Sequence, residues 1–335
     1  MKKKVFLPIT LSILLSGSLV LPSIADANVN SQTNLERKEA NQVANTIADA
    51  TSNITADSLG DTTVNSSVSA NNFNAVTTDS ESEIKIPKDP DNPIVVDSED
   101  DDQSLKMSLP SVIDDAEAIK ANDGTIVYNK TSNDSPVALA VQPNEDGVKS
   151  LINIKDSTAP KEYKFHITLP EGSRLVTAAD YLGDEYDTKE VFVVNSDNEI
   201  TSVFSPAWAK DANGVDVPTY YKVEGDNLIQ VVNFTSTNAF PIVADPNWSK
   251  IAKCSAALAL FISSNLFAAS KIIKIKKYIK ALGGLGEAAK LLAGATTWEE
   301  KLKIGGTAFA GLAAEITGVA SLSVCKPAKS SKKKK

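Results

Sequence analysis

The sequence predicts an α+β protein in which strands and helices form segregated domains. An antiparallel β-sandwich is followed by a small, disulfide-stapled α-helical domain, and a disordered N-terminal region precedes both. Two observations carry this prediction. Apolar and polar residues alternate in short runs over 105–248, whereas residues 249–325 show the period of helices. The only two cysteines, Cys254 and Cys325, bracket the helical segment.

Residues 1–27 have the features of a signal peptide. Three lysines, Lys2 to Lys4, precede an apolar run, and Ala25-Asp26-Ala27 supplies the small-residue pattern at which signal peptides are cut. We therefore predict cleavage after Ala27 and an extracellular protein, either released or retained at the cell surface. An uncleaved membrane anchor is the less favoured alternative, because two prolines interrupt the apolar run.

Residues 28–104 are predicted to be a disordered, acidic leader and linker. The centre of this region is rich in Asn, Ser, Thr, Asp and Ala, and such a composition buries too little apolar surface to offset the entropy lost on ordering. A short helix over 35–48 is the exception, since Val43 and Ile47 would share a face. The leader is interpreted either as a spacer through a cell wall or as a solvated pro-segment.

Residues 105–248 are predicted to form the β-sandwich domain. At least eight short runs of alternating residues, separated by turn signals, indicate antiparallel strands arranged as a sandwich or a barrel. Tight hairpins are predicted at 195–198 and 224–227, where Asn, Asp and Gly concentrate. Every second residue from Tyr163 to Leu169 is apolar, so one face of that strand is predicted to be buried.

Residues 249–325 are predicted to form the cationic helical domain, with four short helices. The second helix carries a stripe of isoleucines opposite most of its lysines, and Gly283-Gly284 ends it. Thr297, with Glu300 three residues later, has the spacing of a capping box at the start of the last helix.

Cys254 and Cys325 are predicted to form a disulfide, because an exported chain with two cysteines allows only one pairing within the molecule. A disulfide that closes a loop of this length contributes about 4 kcal/mol in the chain-entropy model. A small helical domain with a limited core needs such a cross-link. A polybasic tail over 326–335 follows.

The sequence singles out no enzymatic activity, cofactor or metal site, and a hydrolase on the β-domain is kept only as a third, weaker alternative. His166 is the single histidine, which excludes metal sites built from two or three histidines. No phosphate-binding loop, nucleophile elbow or C-x-x-C pair occurs. Asp211, Asn213 and Asp216 have part of the spacing of a calcium loop, but the same residue types also form an ordinary turn.

Charge is divided unevenly along the chain. Residues 28–104 and 105–248 each carry a net charge of −11, whereas residues 250–335 contain 16 lysines against four acidic residues, a net charge of +12. A cationic helical domain indicates anionic lipid or cell-wall polymer as a partner. Nucleic acid is not an expected partner, because no aromatic residues are interleaved with the terminal lysines.

One set of residues is predicted to contact a membrane or the cell envelope. Its lysines would bind first, and its apolar residues would insert. The set comprises Lys271, Lys274, Lys276, Lys277, Lys280, Ile272, Ile275, Ile279, Phe261, Lys332, Lys333, Lys334 and Lys335.

Two functional hypotheses follow from this charge pattern. The first is a membrane-perturbing, bacteriocin-like effector whose acidic front half neutralises the basic domain until delivery. The second is a structural or adhesive surface protein, in which the basic domain holds the chain on anionic wall polymers and the β-sandwich binds a protein or glycan. The apolar faces would also suit the core of a soluble helical bundle. The sequence predicts no oligomeric state.

Two blocks of the sequence resemble a known group of proteins. SPAWAKDANGVDVPTYYKVEGDNLIQVV and FPIVADPNW (Phe240–Trp248) are similar to segments of secreted proteins from Gram-positive bacteria, whose β-rich domain ends in Y/F-P-V-x-A-D-P-x-W. In that group a helical module framed by two cysteines often follows. The resemblance spans roughly residues 105–325. It implies an extracellular β-sandwich with a small helical module, and it implies no reaction. In composition alone, the helical domain also resembles cationic helical bacteriocins that permeabilise membranes.

Overall fold

The computed structural model describes residues 24–51, 73–78, 82–98, 104–130, 135–144, 147–250, 253–263, 269–293, 297–319, 322 and 325. Within these residues lie two antiparallel β-sheets and several helices. The predicted disulfide between Cys254 and Cys325 is confirmed. Residues 1–23 of the predicted signal peptide and the whole of the polybasic tail fall outside the described residues.

The first sheet has seven strands in the order β1-β2-β3-β4-β9-β15-β14. Their bounds are β1 (Phe73–Thr78), β2 (Ser82–Pro87), β3 (Ile94–Ser98), β4 (Leu105–Met107), β9 (Glu162–Thr168), β14 (Thr219–Glu224) and β15 (Asn227–Val232). The hairpin predicted at 224–227 is confirmed, because Glu224 pairs with Asn227 across the turn between β14 and β15. Gly225 has a φ of +58° there, which glycine adopts without steric cost.

The second sheet has ten strands, with the path β10-β11-β12-β17-β8-β7-β6-β5 and β16 pairing with both β8 and β13. Their bounds are β5 (Glu117–Lys120), β6 (Ile126–Asn129), β7 (Val137–Asn144), β8 (Gly147–Ile154), β10 (Arg174–Thr177), β11 (Val191–Val194), β12 (Ile200–Phe204), β13 (Trp208–Lys210), β16 (Ile242–Asp245) and β17 (Asn247–Lys250). The hairpin predicted at 195–198 is confirmed as the connection between β11 and β12.

The largest apolar core combines side chains of the two sheets. In β9, Tyr163, Phe165 and Ile167 are buried and alternate with exposed polar residues, as predicted. They belong to the same core as Leu139 of β7 and Phe204 of β12. The face of the second sheet that points away from this core is called its outer face below.

The N-terminal region contributes a helix to this outer face. Helix α1 (Ile24–Thr51) contains the short helix predicted over 35–48, and its Val43 and Ile47 are buried together. With two alanines of the same helix they pack on β7, β8 and β16 of the second sheet. The helix forms because its few apolar residues recur with helical spacing, although the segment is polar on average.

The described part of residues 28–104, predicted to be disordered apart from one short helix, contains a helix and three strands. α1 lies on the second sheet, and β1 to β3 extend the first sheet. The side chains that β2 and β3 add to the largest core are Ile84, Ile86, Ile94 and Val96. The average composition did not indicate these strands. A strand with one buried face alternates apolar and polar residues, so its sequence is not apolar overall.

Four helices follow β17 in the described part of the chain, as predicted. They are α3 (Lys253–Ser263), α4 (Ala269–Ala281), α5 (Leu285–Ala293) and α6 (Trp298–Ile316), while the short helix α2 (Ala178–Leu182) lies between β10 and β11. The predicted capping box is confirmed: Thr297 accepts a hydrogen bond from the Glu300 N–H, and the Glu300 carboxylate accepts one from the Thr297 N–H at 2.8 Å. α6 ends at Ile316, and Gly306 interrupts its helical geometry with a φ of +52°.

Helices α3 to α6 share a core with the second sheet. Buried side chains of these helices, such as Leu258, Ile279 and Leu312, pack in one cluster with Phe192 and Ile200 of the outer face. The two parts follow each other along the chain as predicted, but they are not segregated in space. Four short helices have too little apolar surface to form an adequate core among themselves, and the sheet supplies the rest.

Candidate functional site

The apolar residues predicted to insert into a membrane are mostly buried within the protein. Ile275 and Ile279 of α4 are 0% exposed, and Phe261 of α3 is 2% exposed. Ile272 is half-buried and packs against the same cluster. The predicted stripe therefore exists, but it lies in the core that α3 to α6 share with the outer face of the second sheet.

Two of the predicted lysines hold α4 against the β-domain. Lys276 donates a hydrogen bond to the carbonyl oxygen of Leu182 at 2.5 Å, and its Nζ lies 5.5 Å from the centre of the Tyr186 ring. Lys280 donates to the carbonyl oxygen of Glu185 at 2.7 Å. Burial lowers the pKa of Lys276. These lysines serve docking of the helix, a role that the sequence did not indicate.

The other lysines of α4 are more accessible. Lys274 and Lys277 are exposed, and Lys274 pairs with Glu315 of α6 at 3.2 Å. Lys271 is half-buried, with its Nζ 5.9 Å from the centre of the Phe261 ring. Lys332 to Lys335 lie outside the described residues. The exposed side of α4 is therefore cationic, while its apolar side is covered.

Among the described side chains of these helices, three large apolar ones are exposed, and sequence reasoning missed all three as contact residues. Ile273 is 42% exposed on α4, and Trp298 and Ile304 are 55% and 53% exposed on α6. The Trp298 ring also packs on Phe309, with the ring centres 4.9 Å apart. Exposed indole and aliphatic groups beside lysines suit shallow contact with an interface rather than deep insertion.

A buried carboxylate fixes the position of α5. Glu190, 2% exposed, accepts hydrogen bonds from the N–H groups of Leu285 at 2.9 Å and Gly286 at 3.1 Å, and from the Thr188 hydroxyl at 2.7 Å. Burial raises the pKa of Glu190, and these hydrogen bonds act in the opposite direction. The carboxylate thus satisfies N–H groups at the positive end of α5.

The backbone at Gly284 approaches the Glu190 carboxylate closely. A Cβ at Gly284, where φ is +131°, would lie 2.6 Å from the Cδ of Glu190. The glycine pair that ends α4 therefore also makes room for the carboxylate. Nothing in the local sequence signals this contact, since Glu190 precedes Leu285 by 95 residues.

The opposite end of α5 is held by a buried lysine. Lys301 of α6 is 4% exposed and donates to the carbonyl oxygen of Leu292 at 2.8 Å. Burial lowers the pKa of Lys301. A cation near the last carbonyls of a helix is favourable, because these groups carry the negative end of the helix dipole.

The calcium-like loop is an ordinary turn in the structure. The Asp211 carboxylate accepts hydrogen bonds from the N–H groups of Asn213, Val215 and Ala239, and Asp216 pairs with Lys210 at 2.7 Å. The carboxylate oxygens of Asp211 therefore accept hydrogen bonds from backbone N–H groups. Among the described residues, no cluster of three potential metal-ligating side chains occurs.

The single histidine lies on the first sheet. His166 is exposed on β9, with Nδ1 3.3 Å from Oδ1 of Asn227. This surface position agrees with the polar face on which the sequence analysis placed it. A general base of the histidine type would need a nucleophile beside it, and the neighbouring strand offers an amide oxygen.

No protein-family model, curated protein or solved structure matches this chain. In the part of the chain that the structure describes, no helix has both the length and the apolar character needed to cross a bilayer.

Proposed function

We propose that this is a secreted, non-enzymatic protein that binds phosphate-bearing anionic surfaces of a cell envelope through its docked cationic helices. The observation that carries the proposal is the division of α4 into two sides. Ile275 and Ile279 are buried in the core that the helices share with the sheet, whereas Lys274 and Lys277 are exposed. Lysines presented on a fixed surface attract polyanions without requiring the helix to unfold or to leave the sheet.

Burial of the isoleucines favours surface binding over membrane perturbation. Insertion would move Ile275, Ile279 and Phe261 from the core into lipid, which changes their own burial little. It would, however, expose Phe192 and Ile200 of the sheet to water, and it would break the hydrogen bonds of Glu190. Both changes oppose undocking.

The β-domain is proposed to present these helices and to bind a protein or glycan partner. Its two antiparallel sheets share the largest core, which supports a face-to-face β-sandwich. The net charge of −11 on residues 105–248 would keep this part away from the anionic surface that the lysines contact.

Binding of the chain from residue 28 onward to vesicles and to soluble polyphosphate tests the proposal. We expect binding to phosphatidylglycerol vesicles and not to phosphatidylcholine vesicles, with affinity falling as salt rises because exposed charges are screened. Binding to vesicles but not to polyphosphate would identify a lipid headgroup as the partner. Binding to polyphosphate alone would identify a soluble or wall-bound polymer.

A pair of matched variants locates the surface. Lys274→Gln with Lys277→Gln removes two charges from α4. Lys88→Gln with Lys164→Gln removes two exposed charges from the first sheet and its β2–β3 loop. We expect only the first variant to lose affinity, by about two- to fivefold if each lysine contributes about 0.2–0.5 kcal/mol. Absence of binding in both assays, or equal losses in the two variants, would reject the proposal.

A further inference from the structure

A buried polar cluster lies on the outer face of the second sheet, where β17 pairs with β8. β16 and β17 run as one line beside β8 with an unbroken register across Pro246, whose carbonyl oxygen accepts from the Ser150 N–H at 3.0 Å. Asn247 is directly opposite Lys149. Opposite residues of an antiparallel pair share a face, with Cβ atoms about 4.5–5.5 Å apart. Asp245, two residues before Asn247, lies on that face too.

All three side chains of this cluster are removed from water. Lys149 is 2% exposed, Asp245 is 1% exposed and Asn247 is 6% exposed. Oδ1 of Asn247 has no hydrogen-bond partner. A buried amide oxygen is unfavourable unless it is paired. The Asp245 carboxylate accepts a hydrogen bond from the Trp208 N–H at 3.4 Å, so a buried lysine, a buried carboxylate and an amide oxygen without a partner meet at one register position.

Burial favours the uncharged form of the Asp245 carboxyl group. Burial raises the pKa of Asp245 to about 8, and the nearby charge of Lys149 acts in the opposite direction. Burial likewise disfavours the charged form of a lysine. Transfer of a proton from the ammonium to the carboxylate turns a buried ion pair into a neutral amine and a neutral acid. A neutral amine is a nucleophile, and a neutral carboxylic acid can donate a hydrogen bond to an amide oxygen.

We propose that Lys149 and Asn247 form an intramolecular amide cross-link, with Asp245 as the proton-transfer group. A lysine side chain is long enough to reach the amide carbon of the residue directly opposite. The enclosed site also excludes the water that would compete for that carbon. No part of this proposal depends on the binding function of the helices.

The reaction balances without an oxidant or a further reagent. Nζ of Lys149 attacks Cγ of Asn247 and forms a C–N bond, while Asp245 donates its proton towards the amide oxygen. The proton lost by Nζ passes through the Asp245 carboxylate to Nδ2 of Asn247. The Cγ–Nδ2 bond then breaks, and ammonia leaves. The product is a secondary amide, and one ammonia molecule is the only by-product.

The cross-link would join the strand that leads into the helices to the centre of the sheet. β17 ends at Lys250, and α3 begins at Lys253. A covalent bond at Asn247 would hold this connection to β8 even where the hydrogen bonds of the strand pair break. A covalent bond resists mechanical force better than the hydrogen bonds of a strand pair do.

Gln142 provides an internal comparison. It lies opposite Lys149 in β7, the other strand that pairs with β8, but its Nε2 donates to the Thr125 hydroxyl at 2.9 Å. Its amide is therefore engaged elsewhere, and no buried acid precedes it by two residues on its own strand. Asn247, with Asp245 beside it, is the amide expected to react.

Peptide mapping by mass spectrometry tests the proposal on the purified chain from residue 28 onward, after reduction and unfolding. We expect an intact mass one ammonia below the sequence mass and a single tryptic species that contains both Lys149 and Asn247. Trypsin should not cut after Lys149. A sequence-true mass, with cleavage after Lys149 and a separate peptide carrying Asn247 as an intact amide, would overturn the proposal.

Variants separate the chemistry from folding. We expect Asn247→Ala and Asp245→Asn to restore the sequence mass, and Gln142→Ala to keep the joined species. Retention of the joined species in Asp245→Asn would remove the assigned role of Asp245. If a variant does not fold, the wild-type map still decides whether the amide exists. A loss of ammonia confined to the Asn247 peptide, with no link to Lys149, would also reject the cross-link, because it indicates cyclisation of the asparagine.

Discussion

Helix α1 and helices α3 to α6 cover the same face of one sheet, but they are attached to it differently. α1 packs through small and aliphatic side chains, and its polar contacts lie at its edges, where Asn41 accepts from the Asn122 N–H at 2.8 Å. The later helices add a buried carboxylate, Glu190, and two lysines that donate to carbonyl oxygens, Lys276 and Lys280.

The difference affects how specific each attachment is. Apolar contacts between α1 and the sheet tolerate small shifts, because burial is not directional. The hydrogen bonds of Glu190 require α5 to begin at one point and in one orientation. Buried polar contacts specify a single arrangement, and their loss is costly because the remaining partners stay buried.

Substitution Glu190→Ala should break the attachment of the later helices most strongly. It leaves the N–H groups of Leu285 and Gly286 buried without acceptors, and it opens a cavity beside them. We expect the free energy of unfolding, measured by urea denaturation, to fall by about 3–5 kcal/mol. Glu185→Ala, at an exposed position, is the matched control and should change it little. Equal effects of both substitutions would show that the buried carboxylate does not hold α5.

Truncation of the α1 stripe should have a smaller effect. Ile47 is 0% exposed and packs against alanines and aliphatic residues of the sheet. Ile47→Ala should lower the free energy of unfolding by about 2–4 kcal/mol, because it removes buried methylene groups and leaves a cavity. Leu35→Ala, on the same helix but 56% exposed, should leave stability nearly unchanged. If Ile47→Ala had no effect either, α1 would not be part of the cooperative fold.

The smallest expected effect is a dependence of the free energy of unfolding on pH, which should come from the attachment of the later helices through Glu190. Because burial raises the pKa of Glu190 in the folded protein, the folded state keeps this proton to a higher pH than the unfolded chain. Between the ordinary pKa of a glutamate, about 4.3, and the raised value, the folded state binds more protons, so the free energy of unfolding falls as pH rises.

Glu190→Gln should remove this contribution, whereas the exposed Glu185→Gln should keep it. Urea denaturation of both variants across acidic to neutral pH measures the difference. The decline with rising pH should be less steep in Glu190→Gln than in Glu185→Gln. Parallel curves for the two variants would contradict the assigned role of burial.

Local patterns predicted much of the secondary structure. The buried side chains of β9, the capping box at Thr297 and the isoleucine stripe of α4 all follow from spacing within a few residues. The extent of order before residue 105 was underestimated, because α1 and the first three strands are stabilised by contacts with distant parts of the chain.

The candidate site was predicted less completely. The lysines of α4 were found by charge and period, but their division into exposed and docking lysines was not. Period shows which side of a helix is apolar, and it does not show whether protein or lipid covers that side. Ile275 and Ile279 were therefore assigned to insertion, although the protein's own core buries them.

The sequence by itself indicated most of the strands after residue 105, the four C-terminal helices and the cysteine pair, because these depend on neighbouring residues and on a single possible pairing. Only the tertiary structure decided what each apolar face covers. It alone placed Glu190 at the start of α5 and Lys149 opposite Asn247. These contacts join residues about 95 and 98 positions apart, and the register and docking that create them arise from the whole core rather than from any local pattern.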